Sequence, residues 1–169
     1  MVEYNYKQKS NEYIKERILF MNIAFFLTPK NEVICENQDA TMEQVMDKME
    51  RYGYTAIPII DREGKYVGTL TEGDLLWKLK DTHNLNFKNT ESVKVKDIPK
   101  RITHKSVSIT SNIESLISLA VSQNFVPVTD DEGTFIGIIK RSDIIHYCFN
   151  EMEKRKDLEI QHFSMYDEG

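Results

Sequence analysis

The chain has 169 residues, 40% hydrophobic and 29% charged, the make-up of a globular protein with length for one substantial core or two half-cores sharing an interface. A formal net charge of −5 argues against a nucleic-acid surface as the main function, because phosphate binding needs a basic face. The most apolar run, Ile18 to Leu27, is shorter than the roughly 20 residues a bilayer span takes and is followed by Thr28-Pro29-Lys30, so neither a membrane anchor nor a signal peptide is expected.

Residues 1–20 are polar and tyrosine-rich at first, then helix-compatible, with Ile14 and Ile18 one turn apart. They are expected as a helical extension docked on the rest of the chain or on a partner subunit. Pro29 disfavours helix at the residue before it, so an extended segment should begin there. Val33-Ile34-Cys35 is a short strand expectation. Thr41 opens the clearest helix, with Met42, Val45, Met46 and Met49 on one face. Thr55 to Ile60 is a buried strand carrying Pro58. A proline cannot donate to a ladder, so this strand lies at an edge or turns its unpaired side toward something other than a strand. Asp61-Arg62-Glu63-Gly64 is a tight hairpin, Tyr66 to Leu70 the returning strand, and Asp74 to Lys80 a short helix. Polar residues from 81 onward, without periodicity, form a linker.

The order then repeats. Val107 to Ile109 is a strand. Ile113, Leu116, Ile117 and Ala120 mark a helix. Phe125 to Val128 is a proline strand, Asp130 to Gly133 a turn, Phe135 to Ile139 the return strand, and Asp143 to about Phe149 the last core helix. The tail from Glu151 is highly charged and is expected to fray at Met165-Tyr166-Asp167-Glu168-Gly169. Pro58 maps to Pro127, Asp61 to Asp130, Gly64 to Gly133, Gly68 to Gly137 and Asp74 to Asp143, all at an offset of 69 residues. A long unit present twice points to two halves of one domain and not to a solenoid. Each half reads strand, helix, strand, hairpin, strand, helix, an α/β (α+β) pattern whose halves bury little alone.

The proline strand, the Asp-x-x-Gly turn and the segment Gly68-Thr69-Leu70-Thr71-Glu72-Gly73-Asp74, with their copies 69 residues on, resemble a tandem pair of CBS domains of the stand-alone bacterial type. The resemblance implies two βαββα repeats packed as a pseudo-two-fold pair: residues 21–80 and 93–150, joined by a linker at 81–92 and followed by a tail at 151–169. It also implies a regulatory sensor that binds an adenosine-containing ligand (AMP, ADP or ATP, S-adenosylmethionine or a cyclic dinucleotide) in clefts between the repeats, usually as a homodimer. Carried onto this sequence, Asp74 and Asp143 are the ribose acceptors and Thr71 the motif hydroxyl. Ala56, Ile57 and Pro58, with Phe125, Val126 and Pro127, line the base. Lys140 departs from the pattern, which has Thr or Ser there, and puts the second cleft or its ligand in question.

Each feature also has a plainer reading. Thr71-x-x-Asp74 fits a capping box, with Thr as the N-cap. Lys140 cannot accept a backbone N–H, yet Asp143 is still present, so that acid has a role of its own or Ser142 has taken over the cap. Cys35 and Cys148 lack metal-type spacing and are expected as buried thiols in a reducing cytoplasm. His83, His104, His146 and His162 form no ligand pair within one element. Lys100-Arg101 and His104-Lys105 form a basic cluster that is either a solvated face or a contact for ligand phosphate. No nucleophile–base pair, metal cluster or nucleophile elbow is found, so no enzyme and no required cofactor is expected. The competing expectation is a structural homodimer with empty clefts. In either case the protein partner is not legible from the sequence.

Overall fold

A computed structural model describes residues 21–166. The extension expected at 1–20 lies outside the described residues. The first half contains β2 (Glu36–Asn37), α1 (Met42–Tyr52), β3 (Ala56–Ile60), β4 (Tyr66–Thr71) and α2 (Glu72–Asp81). The second contains β5 (Val107–Ser108), α3 (Ile113–Ala120), β6 (Phe125–Thr129), β7 (Phe135–Lys140) and α4 (Arg141–Tyr166). Ahead of both lies β1 (Leu27–Pro29), the expected extended segment at Pro29.

Local chemistry accounts for most of these elements. Thr41 caps α1 in a complete capping box: its hydroxyl accepts from Gln44 N–H at 3.2 Å, and the Gln44 side chain accepts from Thr41 N–H at 2.9 Å. Met42, Val45 and Met49 then bury against β3 and β4. In each hairpin one aspartate staples the turn. Asp61 Oδ1 accepts from Glu63 and Lys65 N–H, and Asp130 Oδ1 from Glu132 and Thr134 N–H, all at 2.8–3.0 Å.

The proline strands behave as expected. β2 runs parallel to β3 but pairs only with Ile59 and Ile60, and β5 pairs only with Val128 and Thr129. Beside Pro58 and Pro127 the ladder on that side is absent. The same fact corrects the strand expected at Val33–Cys35. The ladder can begin only past the proline, so the strand forms at Glu36–Asn37 and the apolar trio precedes it. The last helix is longer than the expected Asp143 to about Phe149: α4 runs on through Tyr166. Its run of Glu, Lys, Arg and Met has high helix propensity and no Gly or Pro to stop it.

The halves meet at their hairpins. Tyr66 N–H donates to Gly133 O at 3.1 Å, Phe135 N–H donates to Gly64 O at 2.9 Å, and the Tyr66 and Phe135 rings stack with centroids 6.3 Å apart. Gly64 and Gly133, and Tyr66 and Phe135, are repeat equivalents, so the pseudo-two-fold axis passes here.

The segment entering each half packs on the other half. Ile23 and Phe26 are buried in the core of Val107, Leu116, Val126 and Ile139. Val95 and Ile98 are buried in the core of Met42, Val45, Ile57 and Leu70, and Val95 N–H donates to Ala40 O at 2.9 Å. Thus residues 23–29, grouped by sequence with the first repeat, are seated on the second. The exchange is not identical on the two sides. β1 adds a fourth strand, giving the order β1-β7-β6-β5, while the first sheet has three, β2-β3-β4. β1 lies so close to β7 that a Cβ on Gly137 (φ 157°) would collide with the Thr28 carbonyl oxygen. At the equivalent Gly68 (φ 147°) the near neighbour is the flexible Lys100 side chain, with Cε 2.8 Å away.

Candidate functional site

A cleft of about 250 Å³ opens between the halves. One wall is Ala56 and Pro58 of β3, with Tyr54 just before the strand. The other is Phe125 of β6 with Ile138 and Lys140 of β7. Thr28 and the stretch Glu32–Ile34 form its edge. Ser142, in the first turn of α4, and Asn124 complete the polar lining. The cleft follows from the fold: β2 stops short of Pro58, and the apolar residues ahead of β2 border the space beside it. The walls are mainly apolar, with one cation, one acid and a few neutral polar groups, the usual make-up of a small-molecule site.

Four of the residues expected from sequence come together here: Ala56, Pro58, Phe125 and Lys140. Lys140 is exposed. Asp143 is half-buried one residue beyond Ser142, whose hydroxyl lies 3.4 Å from Asp143 Oδ1. Ile57 and Val126 are fully buried in the two cores, and Pro127 is buried in β6.

Thr71 and Asp74 lie at the repeat-equivalent end and are engaged by the chain itself. The Thr71 hydroxyl accepts from Asp74 N–H at 3.2 Å. Asp74 Oδ2 accepts from Thr71 N–H at 3.0 Å and from the Thr71 hydroxyl at 2.7 Å. Asp74 Oδ1 accepts from Arg101 N–H at 3.0 Å, and the residue is only 4% exposed. The capping box is therefore real, and its acid also anchors the segment that leads into β5.

That segment is stitched down along its length. The Tyr66 hydroxyl donates to His104 O at 3.1 Å and shares a 2.8 Å bond with Thr69. The buried Gln123 side chain accepts from Lys105 N–H at 2.9 Å and donates to Lys105 O at 3.0 Å. Arg101 pairs with Asp81 at 2.8 Å and lies over the Trp77 ring, 4.8 Å from its centroid. Of the basic cluster at 100–105, the Arg101 side chain thus serves the fold, and Lys105 does so through its backbone. Burial pushes the Tyr66 phenol up to about 12, against a smaller lowering by its Thr69 hydrogen bond.

Tyr54, Asn124 and the stretch Glu32–Ile34 are cleft residues that the sequence reading missed. The available signal was the 69-residue comparison itself, which sets Tyr54 against Gln123 and Glu32 against Arg101. Cys35 and Cys148 are half-buried free thiols, and burial raises the Cys35 thiol. Among the described residues, no His/Cys/Asp/Glu group is placed to hold a metal ion, and no helix is long and apolar enough to cross a membrane.

A family model described as CBS domain matches residues 26–81 and 95–150. The inosine-5'-monophosphate dehydrogenase of Methanocaldococcus jannaschii is 29% identical over 114 residues, covering 68% of this chain. The chain spans only 21% of that enzyme's length. Among solved structures, CbpB in complex with c-di-AMP superposes with a TM-score of 0.76 at 22% identity, covering 89% of this chain and 98% of the other. CBSX2 in complex with AMP gives 0.62 at 21% identity, covering 78% and 98%.

Proposed function

The chain belongs to the CBS domain family, and from that premise we propose that it is a regulatory, non-catalytic module that binds an adenosine-containing nucleotide in the cleft at Lys140. The observation that carries this reading is the joining of two apolar strand walls, from Ala56 and Pro58 on one side and Phe125 on the other, with Lys140 and the first turn of the 26-residue α4. Apolar walls suit a base. A cation and the N–H groups at a helix start suit a phosphate. Asp143, one step away, supplies a carboxylate that can accept from two vicinal ribose hydroxyls. Bound c-di-AMP in CbpB and bound AMP in CBSX2 support the ligand class. A space of about 250 Å³ is small for a ligand pocket and favours a mononucleotide over a cyclic dinucleotide within one chain.

The same reading includes a homodimer. Leu75 and Ile144 face the core, while their neighbours Leu76, Ile145, Phe149 and Met152 are more than half exposed on α2 and α4. Such a face suits a two-fold interface. The signal then passes to a protein partner through movement of one half against the other.

Calorimetry with AMP, ATP and c-di-AMP tests the ligand, and light scattering on the same samples tests the dimer. The expected result is saturable binding, weakened about 2- to 5-fold by Lys140→Thr and less so at high salt, because the lysine is exposed. No binding of any of the three, or affinity unmoved by both Lys140→Thr and Asp143→Ala, overturns the ligand reading. A monomer mass across micromolar concentrations overturns the dimer.

A further inference from the structure

α1 ends at Tyr52, the chain turns at Gly53, and Tyr54 follows on the way into β3. The turn is tied back by Tyr54 N–H donating to Met49 O at 3.0 Å. It brings the Tyr52 and Tyr54 rings into a near-parallel stack, centroids 6.2 Å apart and planes 24° apart. Both rings are exposed, 48% and 44%, yet Tyr54 lines the cleft. The repeat equivalents differ in kind. Tyr52 corresponds to Val121, and Tyr54 to Gln123, whose amide is buried and bonded to the Lys105 backbone. Where the chain closes the space between the halves, this position holds a clamp. Where the space is open, it holds an aromatic face backed by a second ring.

We propose that Tyr54, steadied by Tyr52, is the platform on which the ligand's base stacks, and that it makes the cleft prefer a base-bearing phosphate over a bare sugar phosphate. The proposal rests on reading the cleft as a nucleotide site. A ring fixed by a neighbouring ring loses little freedom when a base lies on it, and every base has a π-face to offer. Lys140 lines the same cleft, so a ligand touching both residues carries a planar aromatic group at one end and an anion at the other.

The test compares AMP with ribose 5-phosphate, measured by calorimetry or by displacement of AMP, on the full chain and on Tyr54→Ala, Tyr54→Phe and Tyr52→Ala. Tyr54→Ala is expected to weaken AMP roughly 5- to 150-fold, the range that loss of one stacking aromatic produces. It should leave ribose 5-phosphate unchanged, whether that ligand is measurable or too weak to detect in both proteins. Tyr54→Phe should bind AMP like the parent, and Tyr52→Ala should show a smaller loss than Tyr54→Ala. Parent-like AMP affinity in Tyr54→Ala overturns the proposal, as does an equal loss of AMP and ribose 5-phosphate, which would mean general damage to the cleft. If the parent binds AMP and only the tyrosine effects fail, the nucleotide reading stands alone. If the parent binds no adenine nucleotide, both fall together. Equal circular dichroism and melting temperature for parent and variants guard against a folding artefact.

Discussion

Thr71 and Lys140 close equivalent strands 69 residues apart, and each is followed three residues later by an aspartate. At Thr71 the aspartate is buried, capped and bonded to Arg101, and the segment 100–105 is tied across that end of the interface. At Lys140 the acid is half-buried and the neighbouring residues line an open cleft. A hydroxyl that can accept a backbone N–H draws its acid into the fold. A lysine, which has only donors, leaves its acid to other uses. Lys140 thus stands where the lining is open, and the intact motif of Thr71 and Asp74 stands where the chain engages its own polar groups.

The sharpest way to break the comparison is through the paired glycines. Gly137→Ala drives a Cβ into the β1 backbone and strains a positive φ, and is expected to cost roughly 2–5 kcal/mol in denaturant unfolding. Gly68→Ala meets a side chain that can move aside, leaving mainly the strain, about 1–3 kcal/mol. Equal losses would show that β1 is not what makes the second half intolerant.

The aspartates come next. Asp74→Ala removes the acid half of the capping box and strands the Thr71 and Arg101 N–H groups, at a cost of about 1–3 kcal/mol, with nucleotide affinity kept. Asp143→Ala should cost under about 0.5 kcal/mol of stability and should weaken the nucleotide instead. A stable Asp74→Ala chain that no longer binds nucleotide would restore the ribose role to Asp74.

A smaller loss than at the glycines or Asp74 is expected at the axis, where Tyr66 faces Phe135. Tyr66→Phe makes the two positions alike and gives up the hydroxyl's bonds to Thr69 and His104, about 0.5–1.5 kcal/mol. Because burial raises the phenol to about 12, the folded chain holds this proton more tightly than the unfolded one. Its contribution is complete below the ordinary tyrosine value near 10 and fades as pH climbs toward 12. An absorbance titration of tyrosinate should show one late group that is absent in Tyr66→Phe.

Local signals in the sequence carried far. The 69-residue offset predicts two equivalent halves, and the spacing of Met42, Val45 and Met49 predicts α1. Proline chemistry predicts the missing ladder beside Pro58. The features that were not legible are set by partners distant in the chain. Leu27-Thr28-Pro29 has no periodicity of its own and becomes a strand because β7 offers an edge. Val33-Ile34-Cys35 has strand composition but lies where the proline allows no ladder. The fate of Asp74 turned on Arg101, twenty-seven residues away, whose backbone N–H carries no sequence signature.

The exchanged entry segments also constrain how the chain reaches this state. Leu27 pairs with Ile139, more than a hundred residues later, so β1 has no edge to join until β7 has been made and folded. Closing so long a loop is entropically unfavourable, and the contacts that offset it appear only once both cores exist. During synthesis the first half therefore waits with its second-half contacts unmade. A ribosome stalled before β7 would carry a chain with Ile23 and Phe26 lacking the core they are buried in.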